Sequence, residues 1–472
     1  MNYTEPNPIR YDAHCHVMSR EVFFKRIVMT FIDLAKDFDF KKSLDSKNKL
    51  DADQSDAPNI FRLLKLLLEN KNGVEAFNDL VAEYAKLDPS IQKYMPLMVD
   101  FEYLFRTKYH VEDETLEDVQ NRKDQLTDFM VKFDIIRKKI KKVIAKEHTH
   151  AGNNRLELLT QLIKETEENS NPKDNDAVDA QLALDIKSYQ RQLETFRELK
   201  KLHGDNLNAF LAVDPRRPDM MDIIKENVGK DKTFTGIKLY PPMGYSPTDP
   251  FLYGKDGQND CLYKYCIDNH LPIVTHCSAG GFCTFVQHLE VIGAVMPDMK
   301  FTSQPVNYTK VTEIKFKTNV LKSFGDAVKE RAYRLNHPKL WEMVLDKFPT
   351  LKIDLAHFGG DPDEYGNERR DYIFKLMMKK NDAGQPKYPN FYTDLSCILE
   401  KTLLQDIYKS KYSQIPERFM YGSDYFLNLI WDENFKTYYQ NFVDVFGGEL
   451  DRIGRENVEG FLKIEIDKPM NA

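Results

Sequence analysis

The sequence predicts an α/β protein, a (β/α)8 barrel with a large helical insertion after strand one, on the basis of two observations. Short apolar runs alternate with helical stretches from residue 205 onward, which is typical of βαβ units and a parallel sheet. Polar residues that can bind a metal or a proton stand at the C-terminal ends of several of these runs. In a closed barrel those ends converge on one mouth, whereas an open doubly wound sheet would spread them too widely to share an ion.

Eight apolar runs can be assigned as strands, which is the number that such a barrel needs. Strand one begins at Ile9 and ends in His14-Cys15-His16, and strand two, about residues 94–99, interrupts a region of helical periodicity. The other six strands begin at Leu207, Phe234, Leu271, Leu351, Phe391 and Phe419. We therefore expect residues 1–16 and 205–472 to form the barrel. Residues 17–204 should be a mostly helical insertion that also contributes strand two.

Composition narrows the class of function. The chain has 472 residues, of which 42% are hydrophobic and 30% charged, as in ordinary globular proteins. A net charge of −7 and a pI near 6.0 give no reason to expect nucleic acid or an anionic membrane as partner, so a small-molecule substrate is expected. The N-terminus shows no signal-peptide pattern, and the six scattered cysteines are typical of free thiols. A cytoplasmic location is expected.

The histidine pair at the end of strand one is the first candidate metal site. Alternate residues of a strand share a face, so His14 and His16 can bind one ion together while Cys15 points away. His276 ends strand five and Asp424 follows strand eight. Three imidazoles and a carboxylate suit Zn²⁺, and suit Fe²⁺, Mn²⁺ or Ni²⁺ with less preference. We expect a divalent metal, zinc before the others, and one ion rather than two.

Asp424, His357 and Lys238 are the candidates for chemistry at this ion. A bound ion lowers the pKa of its water to about 7, and Asp424 could accept the proton of that water. His357, at the end of strand six, would act as a general acid or base, or stabilise negative charge on the substrate. Lys238, at the end of strand four, has three interpretations. It is a cation that holds a substrate carboxylate, a carbamylated lysine that bridges two metals, or a structural residue.

The ordered set of these motifs resembles the amidohydrolase superfamily. Within it, the chain is similar to the amidohydrolase-related TIM-barrel branch that includes aminocarboxymuconate semialdehyde decarboxylase and related decarboxylases and hydrolases. The resemblance covers residues 8–16 and about 205–463. Its motifs are His14-Cys15-His16, Lys238, His276, Leu355-Ala356-His357-Phe358-Gly359-Gly360, Gly422-Ser423-Asp424, the stretch from His337 to Ile353, and Asn457.

The resemblance implies a metal-dependent enzyme, with His14, His16, His276 and Asp424 in the metal site and His357 as the catalytic histidine. The leading hypothesis is a hydrolase that acts on a C–N or C–O bond of a small polar or carboxylated substrate. The alternative is a non-oxidative decarboxylase, a carbon–carbon lyase, and a further alternative is a non-catalytic binding barrel. The long insertion departs from the pattern of the branch, so its substrates are not carried over.

Two segments could cover the mouth of the barrel. The apolar helices predicted in the insertion need a partner face, which is either the rim of the barrel or a second subunit, so a homodimer is one expected assembly. The excursion between strands five and six, residues 280–338, should lie over the mouth and could supply substrate contacts.

Overall fold

The computed structural model describes a little over two thirds of the chain. The described residues are 8–17, 72–110, 115–121, 123–124, 188–255, 260–320, 322–360, 368–425, 427–430 and 434–463. Much of the predicted insertion lies outside them, so the division into a barrel and an insertion stays a prediction.

Eight parallel strands form one sheet, and their order in the sheet follows their order in the chain. The strands are β1 (Arg10–His16), β2 (Ile91–Leu97), β3 (Ala209–Val213), β4 (Phe234–Leu239), β5 (Ile273–Ser278), β8 (Ile353–Gly359), β9 (Phe391–Asp394) and β10 (Phe419–Met420). All eight predicted strands are present, with ends that differ by a few residues. Strand two, for example, lies at 91–97 rather than 94–99.

Backbone hydrogen bonds close this sheet into a barrel. Beyond β10, the carbonyls of Tyr421 and Tyr425 accept from the amides of Ala13 and His16 at 3.0 and 2.8 Å. The amide of Asp424 donates to the carbonyl of His14 at 2.6 Å. The first and last strands are therefore neighbours, and the (β/α)8 TIM barrel is confirmed against the open-sheet alternative.

The described helices pack around the outside of the barrel. They are α1 (Gly73–Leu87), α2 (Ser188–His203), α3 (Met220–Asn227), α4 (Pro250–Tyr253), α5 (Leu262–Asp268), α6 (Phe324–Asn336), α7 (Pro338–Lys347), α8 (Glu368–Met377), α9 (Lys401–Ser410), α10 (Phe435–Phe446) and α11 (Asn457–Leu462). Their apolar faces form one continuous core with the outer faces of the strands. Over the described ranges, no helix is long and apolar enough to cross a bilayer.

A second, smaller core fills the barrel below its mouth. Met95, Phe210, Val274 and Met420 point inward, and Phe461 of α11 closes the bottom with its ring stacked on Phe210. Apolar packing here leaves only the C-terminal mouth for polar chemistry.

An antiparallel hairpin departs from the predicted fold. It consists of β6 (His288–Val295) and β7 (Val306–Lys315), and it lies within the excursion between β5 and β8. Most side chains of β7 are exposed, so the strand lacks the continuous apolar run that would predict it.

Candidate metal centre and active site

His14, His16 and Asp424 form a buried group at the mouth of the barrel. Oδ1 of Asp424 lies 3.4 Å from Nε2 of His14 and 3.0 Å from Nε2 of His16. The three residues are at most 5% exposed, and their ligand atoms are close enough to share one metal ion. The structure thus brings together the two histidines of β1 and the aspartate that follows β10, as the sequence predicts.

Strand β1 aims both histidines inward by means of an irregularity. Its register with β2 shifts between Asp12 and Cys15, so Ala13 and His14 both face the barrel interior. Cys15 then points outward into the main core, as expected for a residue between two inward neighbours. All six cysteines are free thiols.

The protonation pattern of this group fits a cation. Nδ1 of His14 donates to Asp394 at 2.7 Å and Nδ1 of His16 donates to the Leu97 carbonyl at 3.0 Å, because both partners can only accept. With the proton on Nδ1, the Nε2 atom of each ring is the one left to bind an ion beside Oδ1 of Asp424. Within the described part of the chain, neither Nε2 of His14 nor Oδ1 of Asp424 has a hydrogen-bond partner.

The distances from Oδ1 of Asp424 to the two Nε2 atoms are also those of metal ligands. Ligand atoms bound at about 2.0–2.2 Å with angles of 90–110° stand roughly 3.0–3.5 Å apart. Electron-pair donors at this separation repel one another unless a cation, either a proton or a metal ion, lies between them. The residues present therefore fit a divalent ion.

Asp394, the last residue of β9, accepts hydrogen bonds both from the metal group, at His14, and from the segment that carries His357. Its carboxylate accepts from Nδ1 of His14 and, at 3.0 and 2.9 Å, from the amides of His357 and Ser396. Burial alone would raise the pKa of Asp394, but its contacts with His14 outweigh burial and hold the pKa well below the usual value. Burial lowers the pKa of His14 to about 3, so the ring is neutral and Asp394 is ionised at neutral pH. Carboxylate support of this kind orients a metal-binding imidazole.

Asp424 is ionised as well. Burial would raise its pKa, but the contact with His16 and the neighbouring histidines outweigh that effect and lower the pKa. The residue has a left-handed backbone with φ of 55°, which is unusual for a residue other than glycine and common at functional sites.

His357 and His276 form a second pair beside the first. Nε2 of His357 lies 3.1 Å from Nδ1 of His276, and the ring of His357 packs 4.6 Å from that of His14. Nδ1 of His357 lies 2.8 Å from the Ser396 hydroxyl. His357 also has a left-handed backbone, with φ of 67°. Burial lowers the pKa of both histidines, so a proton on either ring is readily given up.

His276 does not join the group of His14, His16 and Asp424. Its Nε2 donates to the Gly280 carbonyl at 2.8 Å, and its Nδ1 faces His357. No lone pair of this ring is then free for an ion, because both nitrogens are engaged. The expected role of His276 as a ligand stays a prediction, and it requires the ring to turn away from Gly280.

Lys238, near the end of β4, is buried among these groups, with its Nζ 5.9 Å from the centre of the Tyr240 ring. It is 2% exposed, and its Nζ has no hydrogen bond among the described residues. Burial lowers its pKa to about 8, although Asp394 and Asp424 act in the opposite direction. Lys238 is therefore largely charged at neutral pH, which means that the site holds a buried ammonium group that makes no hydrogen bond to the described residues.

Sequence reasoning missed two carboxylates, Asp394 and Asp12. Asp394 ends predicted strand seven just as the selected residues end theirs, so the same signal could have identified it. Asp12 lies on the outer face of β1, where it accepts from the Ser423 amide at 2.9 Å and from the Tyr84 hydroxyl at 2.9 Å. It fastens the strand of His14 to the segment of Asp424, and no pattern in the sequence pairs these distant residues.

Comparison with known proteins gives one match to a protein family. A sequence model described as Amidohydrolase matches residues 168–450, a range that includes Lys238, His276, His357 and Asp424. No curated protein matches the chain.

Several solved structures resemble the chain at low identity. One is 5-carboxyvanillate decarboxylase from Novosphingobium aromaticivorans, complexed with manganese and 4-hydroxy-3-methoxy-5-nitrobenzoic acid. It has a TM-score of 0.45 and 12% identity, with 98% of this chain and 97% of that chain covered. Another is 2,6-dihydroxybenzoate decarboxylase with 2,6-dihydroxybenzoate bound, with a TM-score of 0.39, 13% identity and coverage of 96% and 98%. A third is 5-carboxyvanillate decarboxylase from Sphingomonas paucimobilis, with a TM-score of 0.38, 11% identity and coverage of 95% and 99%. Likenesses at this level carry no conclusion about the reaction of this chain.

The family match and the geometry agree on the same part of the molecule. The matched range contains six of the eight barrel strands and four of the six candidate residues, and the barrel brings His14 and His16 to them. Because that range is more than half of the chain, the protein belongs to the amidohydrolase family.

Proposed function

We propose that this protein is a metal-dependent decarboxylase, an enzyme that removes CO₂ from a small carboxylic acid without an oxidant. The observation that carries the proposal is the buried ammonium group of Lys238, which lacks a hydrogen-bond partner among the described residues. A buried cation without a partner costs free energy until an anion reaches it. A substrate carboxylate supplies that anion next to the candidate metal centre.

The metal would be held by Nε2 of His14, Nε2 of His16 and Oδ1 of Asp424. When bound, such an ion polarises a substrate oxygen and stabilises negative charge that develops there. This is the help that decarboxylation needs, because the electron pair of the broken C–C bond stays on the substrate. Asp394 keeps His14 in the tautomer that leaves Nε2 free for the ion.

His357 would supply the proton that replaces the departing CO₂. Its ring lies against His14 and is held through Nδ1 by Ser396. Its Nε2 shares a contact with His276, so the two rings together can hold one proton and pass it on. The reaction balances as one carboxylate and one proton giving CO₂ and a C–H bond.

A hydrolase remains the second candidate, and the ionised carboxylate of Asp424 favours it. This group lies at the candidate metal centre and could accept a proton from a water molecule there. The deep burial of the site favours decarboxylation, which consumes no water. His14, His16, Lys238, His357 and Asp424 are each at most 5% exposed.

The test is an assay that separates the two reactions. We expect metal-loaded protein to release labelled CO₂ from some member of a panel of aromatic and unsaturated acids that carry ¹³C in the carboxyl group. The amides and esters of the same acids form the second panel, in which hydrolysis is measured by chromatography. Release of CO₂ should be lost in Lys238→Met and in the His14→Ala/His16→Ala double variant.

Lys401→Met is the matched control, since Lys401 is an exposed residue of α9 that pairs with Asp444 of α10. It should behave like the unaltered protein. Hydrolysis of amides or esters without CO₂ release would replace the decarboxylase by the hydrolase. If Lys238→Met still releases CO₂, the proposed role of the lysine in the reaction is wrong.

A further inference from the structure

We infer that a small cavity beside Lys238 is the subsite for a substrate carboxylate, and that two arginines keep this subsite free of the protein's own carboxylates. The inference deepens the proposed function and rests on it for the identity of the substrate group. The juxtaposition that carries it is one buried lysine without a hydrogen-bond partner among the described residues and two arginine-bound aspartates around one cavity.

The cavity lies where β2, β3 and β4 end. Its volume is about 10 Å³, which is the space of one water-sized group. Met98, Val99 and Ala212 contribute apolar wall, and Asp100, Asp214 and Lys238 are the charged residues of its lining. Such a space cannot take a ring, but it can take the end of a planar carboxylate whose remainder lies toward the metal group.

Both aspartates of the lining are already paired. Asp214 accepts from Nε and Nη2 of Arg216 at 2.9 and 2.7 Å, with both side chains buried. Asp100 accepts from Nη2 of Arg217 at 2.6 Å. Nζ of Lys238 has no hydrogen-bond partner among the described residues. It is therefore the charged group of the lining that remains open to the carboxylate of a ligand.

Arg217 is held in place from several sides. Its Nη2 also donates to Glu102 at 2.7 Å, and its guanidinium lies 3.8 Å from the centre of the Tyr189 ring. A rigid guanidinium of this kind fixes the direction of a carboxylate that it binds. Without Arg217, Asp100 would be free to turn toward Lys238 and to compete with the substrate. Arg217 is therefore a positioning residue that acts through Asp100.

The apolar wall also suits the product. Once the C–C bond breaks, the carboxylate becomes CO₂, which is uncharged and linear. It no longer pairs with Lys238, so the subsite holds the reactant more strongly than the product. Release of CO₂ is then not opposed by the charge that binds the acid.

The first experiment compares two monoanions of different shape by isothermal titration calorimetry on the metal-loaded protein. Acetate is planar at its charged end, whereas methanesulfonate is tetrahedral and larger. We expect acetate to bind about tenfold more tightly or better, and Lys238→Met to lose this binding by about tenfold while Lys401→Met keeps it. Equal binding of the two anions, or unchanged acetate binding in Lys238→Met, would overturn the subsite and place acetate elsewhere.

The second experiment tests the arginine. Arg217→Gln should weaken acetate binding severalfold, and Arg217→Gln/Asp100→Asn should restore it, because Asp100 is the freed carboxylate that lines the cavity, whereas Glu102 is not part of the lining. Asp100→Asn alone should bind acetate as the unaltered protein does. A structural role for Arg217 would instead leave the double variant as weak as the single one, and that result would refute the positioning role. The melting temperature of each variant shows whether it is folded.

These binding measurements need no turnover, so they test the subsite independently of the proposed decarboxylase reaction. If the protein binds acetate through Lys238 but releases no CO₂, the subsite proposal holds and the decarboxylase proposal is wrong. If the protein releases CO₂ but its acetate binding is unchanged in Lys238→Met, the decarboxylase proposal holds and the subsite proposal is wrong.

Discussion

Among single residues, Lys238 shows the clearest conflict between stability and function. Its burial lowers the pKa from 10.5 to about 8. The unfolded chain therefore holds this proton more firmly than the folded one, and the charged lysine opposes folding. Below about pH 8 this cost is fully present. As the pH rises from 8 to 10.5, the unfolded chain binds more protons than the native state, so the stability of the protein increases.

We predict that Lys238→Met stabilises the metal-free protein at pH 7, by up to about 3 kcal/mol. The gain should shrink between about pH 8 and 10.5 and vanish above that range, since both states of the unaltered protein are then neutral at this residue. Urea unfolding at several pH values measures the difference. A gain that is the same at pH 7 and about pH 11 would assign the effect to packing rather than to charge.

The candidate residues could be found from the sequence because the fold, rather than any local motif, brings strand ends together. His14, His16, Lys238, His357 and Asp424 were selected as polar ends of apolar runs, and the barrel places them in one mouth. The orientation of His276 could not be found in this way. It depends on the Gly280 carbonyl, which belongs to a loop whose path no pattern in the sequence fixes.

Between elements, the contact of β1 with the segment after β10 is the most sensitive to size. A Cβ added to Gly422 would lie 2.6 Å from Cβ of His14 and 3.1 Å from Cβ of Ser396. Such distances are too short, so one strand would have to move. We predict that Gly422→Ala weakens metal binding by roughly 10–100-fold, because it displaces His14 from Asp424. It should also cost about 1–3 kcal/mol of stability through overpacking.

Chelator competition for the metal and urea unfolding measure these two effects. Gly448→Ala is the matched control, because no described residue lies within 4 Å of its added Cβ. It should change neither quantity. If Gly422→Ala bound metal like the control, the close approach of the two strands would not be what positions the ligands.

The order of strands was predictable, whereas their irregularities were not. Apolar runs locate β1 and β2 because both are buried, yet the register shift near Ala13 arises from pairing with a strand about 80 residues away. Hairpin β6–β7 went unpredicted for the opposite reason. Its second strand is largely exposed, so hydrogen bonds rather than an apolar run define it.

For the whole molecule, closure of the barrel joins the first strand to the segment that follows the last one. Ser423 and Asp12 are 411 positions apart, and their hydrogen bonds fasten the last strand region to the first. Joining such distant segments costs conformational entropy, which contacts across the seam must offset. The candidate metal centre spans the same seam, with His14 and His16 on one side and Asp424 on the other. A bound ion would therefore act as a cross-link between the ends of the fold.

We predict that a divalent metal stabilises the whole barrel, by about 2.7 kcal/mol when the free ion is at a hundredfold excess over its Kd. Chelation should then lower the melting temperature of the unaltered protein and of His288→Ala, whose imidazole is exposed and pairs only with Glu313 in the described part of the chain. The His14→Ala/His16→Ala variant should have the same melting temperature with and without metal, because it lacks the two imidazoles that would bind the ion. Elemental analysis of the same samples should give about one ion per chain in the first two proteins and none in the third. A double variant that is still stabilised by metal would place the ion elsewhere, and the seam would then depend on Asp12 and the backbone alone.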